Sequence, residues 1–112
     1  MTTPAYLTNC EQRIIDLSAG VVDYLWVDYD EKRKQDISAD PAAISLGTWD
    51  APGTWHNADI IQTNGAVWKM RAALLLGAGL TYPVGIYWAW IRVTDAPSVL
   101  IQRADNMFVS IT

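Results

Sequence analysis

The chain has 112 residues, and its 8 lysine and arginine residues against 12 aspartate and glutamate residues give a formal net charge of −4. This length fits one domain, and the acidic balance argues against a general surface for nucleic-acid phosphates. The longest apolar stretch, residues 72–80, is too short to cross a bilayer as a helix, so no membrane partner is expected.

Turn-forming residues divide the chain into short segments of strand character. The predicted strands are residues 13–17, 21–29, 43–48, 58–63, 66–76, 85–94, 99–103 and 107–111. Seven or eight short strands with turns at this spacing predict an all-β fold, an antiparallel β-sandwich. The sandwich is expected to form one domain over residues 1–112, with residues 1–12 as an extended N-terminal arm.

Two local patterns refine this prediction. Asn64-Gly65 is typical of a two-residue hairpin turn, because both central residues of that turn need positive φ. The following segment, KMRAALLL at residues 69–76, is rich in good helix formers and could also form a helix. The hairpin signal and the aromatic or β-branched residues before it favour a strand.

The polar residues carry no recognisable catalytic or metal-binding pattern. The basic run Lys32-Arg33-Lys34 is flanked by acidic residues and predicts a solvated hairpin loop. Zinc needs several histidine or cysteine ligands, and the chain has only His56 and Cys10. The acidic residues near Asp28 lack the spacing of an EF-hand calcium loop. We therefore expect no enzyme activity, no metal and no cofactor.

The compartment follows from the lone cysteine and the N-terminal sequence. Cys10 has no partner for an intramolecular disulfide. The first residues lack the basic and apolar regions of a signal peptide. Both observations predict synthesis in a reducing cytoplasm.

The segment GIYWAWIRVTD, residues 85–95, is apolar on both faces of a strand. Tyr87 and Ala89 share one face with the β-branched residues at positions 91 and 93, and this face is predicted to line the core. Ile86, Trp88 and Trp90 fall on the other face. The spacing of Tyr87 and Ala89 is similar to that of the tyrosine and the second cysteine on strand F of immunoglobulin-like domains, which makes the predicted sandwich immunoglobulin-like.

Six tryptophans in a chain of this size indicate an interface in addition to a core. Large exposed apolar patches mark interaction sites, and tryptophan is enriched at binding hot spots. The predicted interface residues are Ile86, Trp88, Trp90, Trp49 and Trp55. The alternative is a carbohydrate platform, which would group tryptophan rings with convergent polar partners such as Asp50, His56 and Asn57.

A family resemblance rests on three stretches: DISADPAAISLG, WKMRAALLLGAG, and YPVGIYWAWIRVTDAPSVLIQRADNMFVSIT. Their order, and the YPxGxYxxWxRVTDxP pattern of residues 82–97, resemble small virion proteins of tailed bacteriophages. Those proteins are immunoglobulin-like β-sandwiches attached to heads, head–tail joints or tails, and the pattern carries no catalytic motif.

The resemblance implies a structural role in a phage particle, with synthesis in the host cytoplasm. The first expectation is a head accessory or decoration protein that docks on the major capsid protein and stabilises the shell. A head–tail joint or tail component, bound to connector or tail subunits, is the second. A carbohydrate- or host-surface-binding module is the third. Self-association in the assembled particle is also expected.

Overall fold

The structure is a computed structural model that describes residues 11–17, 22–61, 66–77 and 79–112, without the side chains of residues 11, 61, 105 and 106. Most of the predicted N-terminal arm and the Asn64-Gly65 turn lie outside the described residues. The strands on either side of that turn do run antiparallel, so the chain reverses direction between them.

The described residues form strands and connections, and no helix occurs among them. The strands are β1 (Glu11–Ile15), β2 (Asp23–Asp30), β3 (Ala42–Gly47), β4 (Trp55–Ile61), β5 (Lys69–Leu76), β6 (Gly85–Asp95) and β7 (Ser98–Ile111). The all-β prediction is confirmed, and KMRAALLL is a strand rather than a helix. The last two predicted strands form one long strand, because β7 continues through the polar residues between them.

The strands follow the order β1-β7-β6-β3-β4-β5-β2 in one sheet that nearly closes into a barrel. β1 runs parallel to β7, and every other neighbouring pair is antiparallel. β4 joins two parts of the sheet, because its first half pairs with β3 and its last three residues pair with β5. The sheet therefore curves around one interior.

That interior is the main hydrophobic core, and alternation along the strands fills it. On β2, Leu25, Val27 and Tyr29 are buried, whereas Tyr24 and Asp28 between and beside them are exposed. Residues of β3, β5, β6, β7 and β1 join the same cluster. Burial of a leucine or valine side chain contributes roughly 1.5–3 kcal/mol, so the period-two pattern of the sequence is sufficient to orient each strand.

An aromatic ring and two arginines connect the ends of the sheet. Trp26 lies on the outer side of β2, and the guanidinium carbon of Arg13 on β1 is 3.2 Å from its ring centroid. The guanidinium carbon of Arg71 on β5 is 3.9 Å from the same centroid. Arg71 also donates two hydrogen bonds to Asp28, with an Nε–Oδ1 distance of 2.8 Å. Because β1 and β2 end the strand order, the Arg13–Trp26 contact spans the seam of the sheet.

The basic run lies in the connection between β2 and β3 and is exposed, as the sequence predicts. The prediction of a hairpin is wrong, because β2 pairs with β5, whereas β3 pairs with β4 and β6. The carboxylate of Glu31 accepts a hydrogen bond from the backbone N–H of Arg33 at 2.8 Å. Lys34 adopts a φ of 57°, in the left-handed region. Its ammonium lies 5.0 Å from the ring centroid of Trp68. These contacts fold the charged segment into a compact turn.

β6 and β7 pair along most of their length, but their register shifts once. Trp88 is opposite Phe108, and Trp90 is opposite Arg103. Trp88 and Trp90 are two residues apart on β6, whereas their partners Phe108 and Arg103 are five residues apart on β7. The extra residues of β7 form a bulge. A bulge bends the strand and increases its twist locally.

No helix in the described part of the chain has the length and apolar character needed to cross a membrane.

The carboxyl of Asp40 generates a prediction about pH. Burial raises the pKa of Asp40, and the neighbouring carboxyl of Asp95 raises it further. A raised carboxyl pKa means that the protonated form is favoured in the folded state, so this group's stabilising contribution is present at acid pH and is lost as the pH rises through the raised pKa. We expect Asp40→Asn to raise the melting temperature at neutral pH, and to have no such effect below the ordinary value of 3.8.

Asp36 provides a control of opposite sign. The hydroxyl and the backbone N–H of Ser38 donate to its carboxylate and lower its pKa. Its contribution is therefore present at neutral pH and is lost as the pH falls through the lowered value. We expect Asp36→Asn to lower the melting temperature at neutral pH, as measured by thermal unfolding over a series of pH values from acid to neutral. An Asp40→Asn variant that is destabilised there as well would contradict the prediction.

Candidate functional site

The outer side of β6 carries a second apolar cluster, separate from the main core. Ala89, Ile91 and Val93 are fully buried in the main core, as the alternation predicts. On the opposite side, Trp88 packs with Phe108 and Ile86 in a cluster of their own. The ring centroids of Trp88 and Phe108 are 6.2 Å apart. β6 is therefore buried on both faces over this stretch.

Strand register places the predicted interface residues on this one outer side. Ser45 on β3 is directly opposite both Trp55 on β4 and Trp90 on β6. Directly opposite residues project to the same side of a sheet, and Trp88 and Trp90 are two residues apart on one strand. Trp49, from the connection after β3, meets Trp88 edge to face with ring centroids 4.7 Å apart. With Ile86, all five residues gather on one surface, which we call the aromatic face.

The connection between β3 and β4, residues 48–54, lies over this side of the sheet. The indole N–H of Trp90 donates to the carbonyl of Thr48 at 2.9 Å. The guanidinium of Arg103 donates to the carbonyl of Trp49 at 2.8 Å. Within the connection, the backbone N–H of Thr48 donates to the carbonyl of Ala51 at 2.9 Å. The sheet thus holds the connection in place through side chains from two different strands.

Two glycines make this close packing of the connection feasible. A Cβ atom on Gly47 would lie 2.4 Å from the carbonyl oxygen of Ala51. A Cβ atom on Gly53 would lie 2.5 Å from the carbonyl oxygen of Leu46. Both distances are shorter than any real contact of this kind, so the backbone can approach this closely only where no side chain intervenes.

Exposure differs strongly among the predicted interface residues. Trp49 exposes 54% of its surface, whereas Trp88 beneath it exposes 7%. Trp55, Trp90 and Ile86 are partly buried. Trp88 is therefore an inner residue of the aromatic face, and Trp49 is the ring that solvent or a partner can reach.

Arginines cover the rings of the aromatic face. The guanidinium carbon of Arg103 is 3.4 Å from the ring centroid of Trp49 and 5.5 Å from that of Trp88. That of Arg92 is 4.9 Å from the ring centroid of Trp55. A guanidinium over an indole gains about 0.5–1 kcal/mol at exposed sites and about 2 kcal/mol or more when desolvated. These arginines fix the rings and give the face a positive component.

Several residues beside the aromatic face were not predicted from the sequence. Ile14 is opposite Ser110, which is opposite Ile86, and Ile101 is opposite Arg92. Both isoleucines are exposed on the outer side and extend the apolar surface. Phe108 and Arg103 were also missed, because their positions beside Trp88 and Trp90 depend on the bulge in β7. For Phe108 and Arg103, the sequence signal was limited to the alternation along β7, which indicates a side of the sheet but not a neighbour on another strand.

One of the polar groups expected of a carbohydrate platform lies on the opposite side of the sheet from the tryptophan rings. His56 follows Trp55 on β4 and is opposite Ile44, a core residue, so it projects away from Trp55. Its ring packs edge to face against Tyr82, with centroids 6.3 Å apart. The carboxylate of Asp50 accepts a hydrogen bond from the hydroxyl of Thr48 at 2.7 Å. Asn57 is exposed and is opposite Ala43, two residues from Ser45, so it projects to the same outer side as Trp55. Of the three expected polar groups, His56 is the one that the register separates from the rings.

Within the described residues, no group of three or more histidine, cysteine, aspartate or glutamate side chains could hold a metal ion.

No protein-family model matches the sequence, and no curated protein is significantly similar to it. The chemistry of the aromatic face is thus the main guide to function.

The anchoring role of Arg103 can be tested directly. Arg103→Leu removes the hydrogen bond to Trp49 and the cation over two rings. Since a hydrogen bond from a charged group contributes about 1.5–3 kcal/mol, we expect the free energy of unfolding to fall by about 2 kcal/mol. The amide of Thr48, measured by hydrogen exchange in NMR, should lose protection as the connection loosens.

Arg33→Leu is the matched control. Arg33 is an exposed arginine that pairs with Glu31, whose side chain is only 4% exposed. Its loss also removes a hydrogen bond from a charged group, worth about 1.5–3 kcal/mol, but the pair lies in the connection between β2 and β3 and not in the one that carries Thr48. The Arg33→Leu variant should leave the Thr48 amide protected from hydrogen exchange. Unchanged protection in Arg103→Leu would show that the connection is held without the arginine.

Proposed function

We propose that this protein is a structural component of a tailed-phage particle, an immunoglobulin-like β-sandwich that docks on other virion subunits through its aromatic face. The observation that carries the proposal is the layer of aromatic side chains on the side of the sheet opposite the core, with Trp49 at its surface. The expected position is on the head, as an accessory or decoration protein bound to the major capsid protein.

The strand order supports the immunoglobulin-like part of the proposal. β1, β7, β6 and β3 form one run of strands, β5 and β2 form the other, and β4 pairs with both. Immunoglobulin-like domains likewise place their third, sixth and seventh main strands together and their second and fifth in the facing sheet. β1, parallel to β7, adds an edge strand to the first run.

A tyrosine corner gives separate support. The hydroxyl of Tyr87, near the start of β6, donates to the carbonyl of Pro83 at 2.8 Å. In immunoglobulin-like domains a tyrosine at this point bonds to the backbone a few residues upstream. Ala89, two residues later, is fully buried in the core, where those domains often place a cysteine.

The composition of the aromatic face supports docking on a protein. Tryptophan and arginine are the residue types most enriched at binding hot spots, and here Arg103 is stacked on Trp49. Because the rings are already fixed by hydrogen bonds and guanidinium contacts, a partner would not need to order them on binding. Preorganisation of this kind lowers the entropic cost of association. The surface is therefore suited to a permanent contact in an assembled particle.

Trp49→Ser tests this proposal because it alters the surface of the aromatic face and leaves Trp88 and the core in place. Loss of a hot-spot residue costs about 2 kcal/mol or more, which corresponds to about thirtyfold weaker binding. A phage that encodes the Trp49→Ser chain should yield purified particles with far fewer copies of it, as measured by quantitative mass spectrometry.

Tyr24→Ser is the control, because Tyr24 is also exposed but lies on β2, at the far end of the strand order. It should be incorporated like the original chain. Cross-links between the chain and capsid subunits would place it on the head, and cross-links to connector or tail subunits would place it at the joint or tail. Equal incorporation of Trp49→Ser, or absence of the original chain from particles, would overturn the proposal.

A further inference from the structure

Two arginines on the outer side of the sheet have no carboxylate partner within the described part of the chain. The side chain of Arg92 forms no hydrogen bond and no ion pair there, and its guanidinium lies over the ring of Trp55. Arg103 donates to the carbonyl of Trp49, and its Nε is buried with no acceptor among these residues. Because a guanidinium has five N–H donors, most donors of both groups have no protein acceptor.

Strand register places the two arginines side by side. Trp90 is opposite Arg103, and Arg92 is opposite Ile101, so all four side chains project to the outer side. Arg92 and Arg103 are therefore diagonal neighbours, which lie roughly 7–8 Å apart in paired strands. The carboxylate of Asp50, in the connection over this side, forms no ion pair with either of them. Two like charges thus lie close together without a negative charge from the described residues.

Another ring-stacked arginine of the same sheet does have such a partner. The guanidinium carbon of Arg71 is 3.9 Å from the ring centroid of Trp26. Arg71 also donates two hydrogen bonds to the carboxylate of Asp28. The planar fork of a guanidinium matches the two oxygens of a carboxylate. No described residue takes the place beside Arg92 or Arg103 that Asp28 takes beside Arg71.

We propose that the protein surface that docks on the aromatic face is acidic, with an aspartate or glutamate carboxylate for each of these two guanidiniums. The inference rests on the proposed function and names the chemistry of the partner. A partner that covers Trp49 also covers Arg103, which is stacked on it. Burial of an unpaired charge opposes association. Since carboxylates are the negatively charged groups of a protein at neutral pH, the partner must supply them.

Apolar side chains border the two guanidiniums. Trp49 and Ile101 expose 54% and 51% of their surface. Trp49 is stacked with Arg103, and Ile101 is opposite Arg92. The matching surface on the partner is therefore an acidic segment with apolar residues beside its carboxylates.

Arg92→Glu tests the proposal, because Arg92 donates no hydrogen bond to the connection that carries Trp49. When this variant and the original chain are produced together in one infected culture, particles should contain at least about tenfold less of the variant, since repulsion replaces an ion pair. Lys69→Glu is the matched control, because it makes the same change of charge on β5, outside the aromatic face. It should be incorporated like the original chain.

A cross-link with no spacer identifies the carboxylate directly and does not depend on the stability of Arg92→Glu. In Arg92→Lys particles, a carbodiimide activates a neighbouring carboxylate. The amine at position 92 then attacks the carboxyl carbon, an amide bond forms, and the activated oxygen leaves as part of a urea. Mass spectrometry should find position 92 joined to an aspartate or glutamate of a capsid, connector or tail subunit.

Val84→Lys is the control for this cross-link, since Val84 is 74% exposed and lies in the connection before β6. Position 84 should not become joined to another subunit. Replacement of the cross-linked acidic residue by arginine should restore the incorporation of Arg92→Glu. Particles that carry Arg92→Lys and give no cross-link from position 92 would overturn the inference.

Failure of this inference is distinguishable from failure of the proposed function. Loss of Trp49→Ser from particles, with Arg92→Glu incorporated as well as Lys69→Glu, would leave docking through the aromatic face intact and would show that the partner is not acidic. Absence of the original chain from particles would overturn both.

Discussion

The central constraint in this structure is that β6 must be buried on both faces. Its inner face contributes Ala89, Ile91 and Val93 to the main core, and its outer face carries Trp88 and Trp90. A strand in the middle of a sheet can bury only one face against the interior of its own domain. The outer face therefore needs a second layer, and the connection after β3 supplies it by placing Trp49 over Trp88. The glycines of that connection, the bulge in β7 and the position of Arg103 all serve this second layer.

Arginine and lysine residues are the usual covers for the tryptophans. Five of the six tryptophans have a cationic side chain over the ring, and the sixth, Trp90, donates its N–H to a backbone carbonyl. Long cationic side chains can cover apolar surface and still keep their charge near water. This arrangement explains how an acidic chain can carry so many large rings outside its core. It also means that the surface offered to a partner is a mixture of ring and guanidinium rather than a bare apolar patch.

The near-closure of the sheet leaves a contact at one end of its seam and a groove at the other. Where β1 and β2 approach each other, Arg13 and Trp26 contact across the seam. Beyond the end of β1, the edge of β7 that pairs with β1 borders a groove lined by Val99 and Ile101. The outer side of the sheet and this groove therefore meet at Ile101.

The sequence by itself determined the class of fold and the orientation of individual strands, because both follow from local properties. Alternation in GIYWAWIRVTD assigned Ala89 and Ile91 to the core and Trp88 and Trp90 to the other side, and the segment at residues 69–76 was assigned as a strand. The prediction failed at contacts between distant segments. It divided β7 in two, and it missed Phe108 and Arg103 as neighbours of Trp88 and Trp90.

Only the tertiary structure decided which side chains cover one another. Trp49 is 39 residues before Trp88 and Arg103 is 54 residues after Trp49, so their contact requires the register of β6 against β7 and the path of a connection over the sheet. Register and loop path are set by packing of the whole domain, and alternation along one strand has no information on either. For the same physical reason, the sequence could indicate that the outer face of β6 is apolar, but it could not reveal that Trp88 is buried within the chain and that Trp49 is the ring left at the surface.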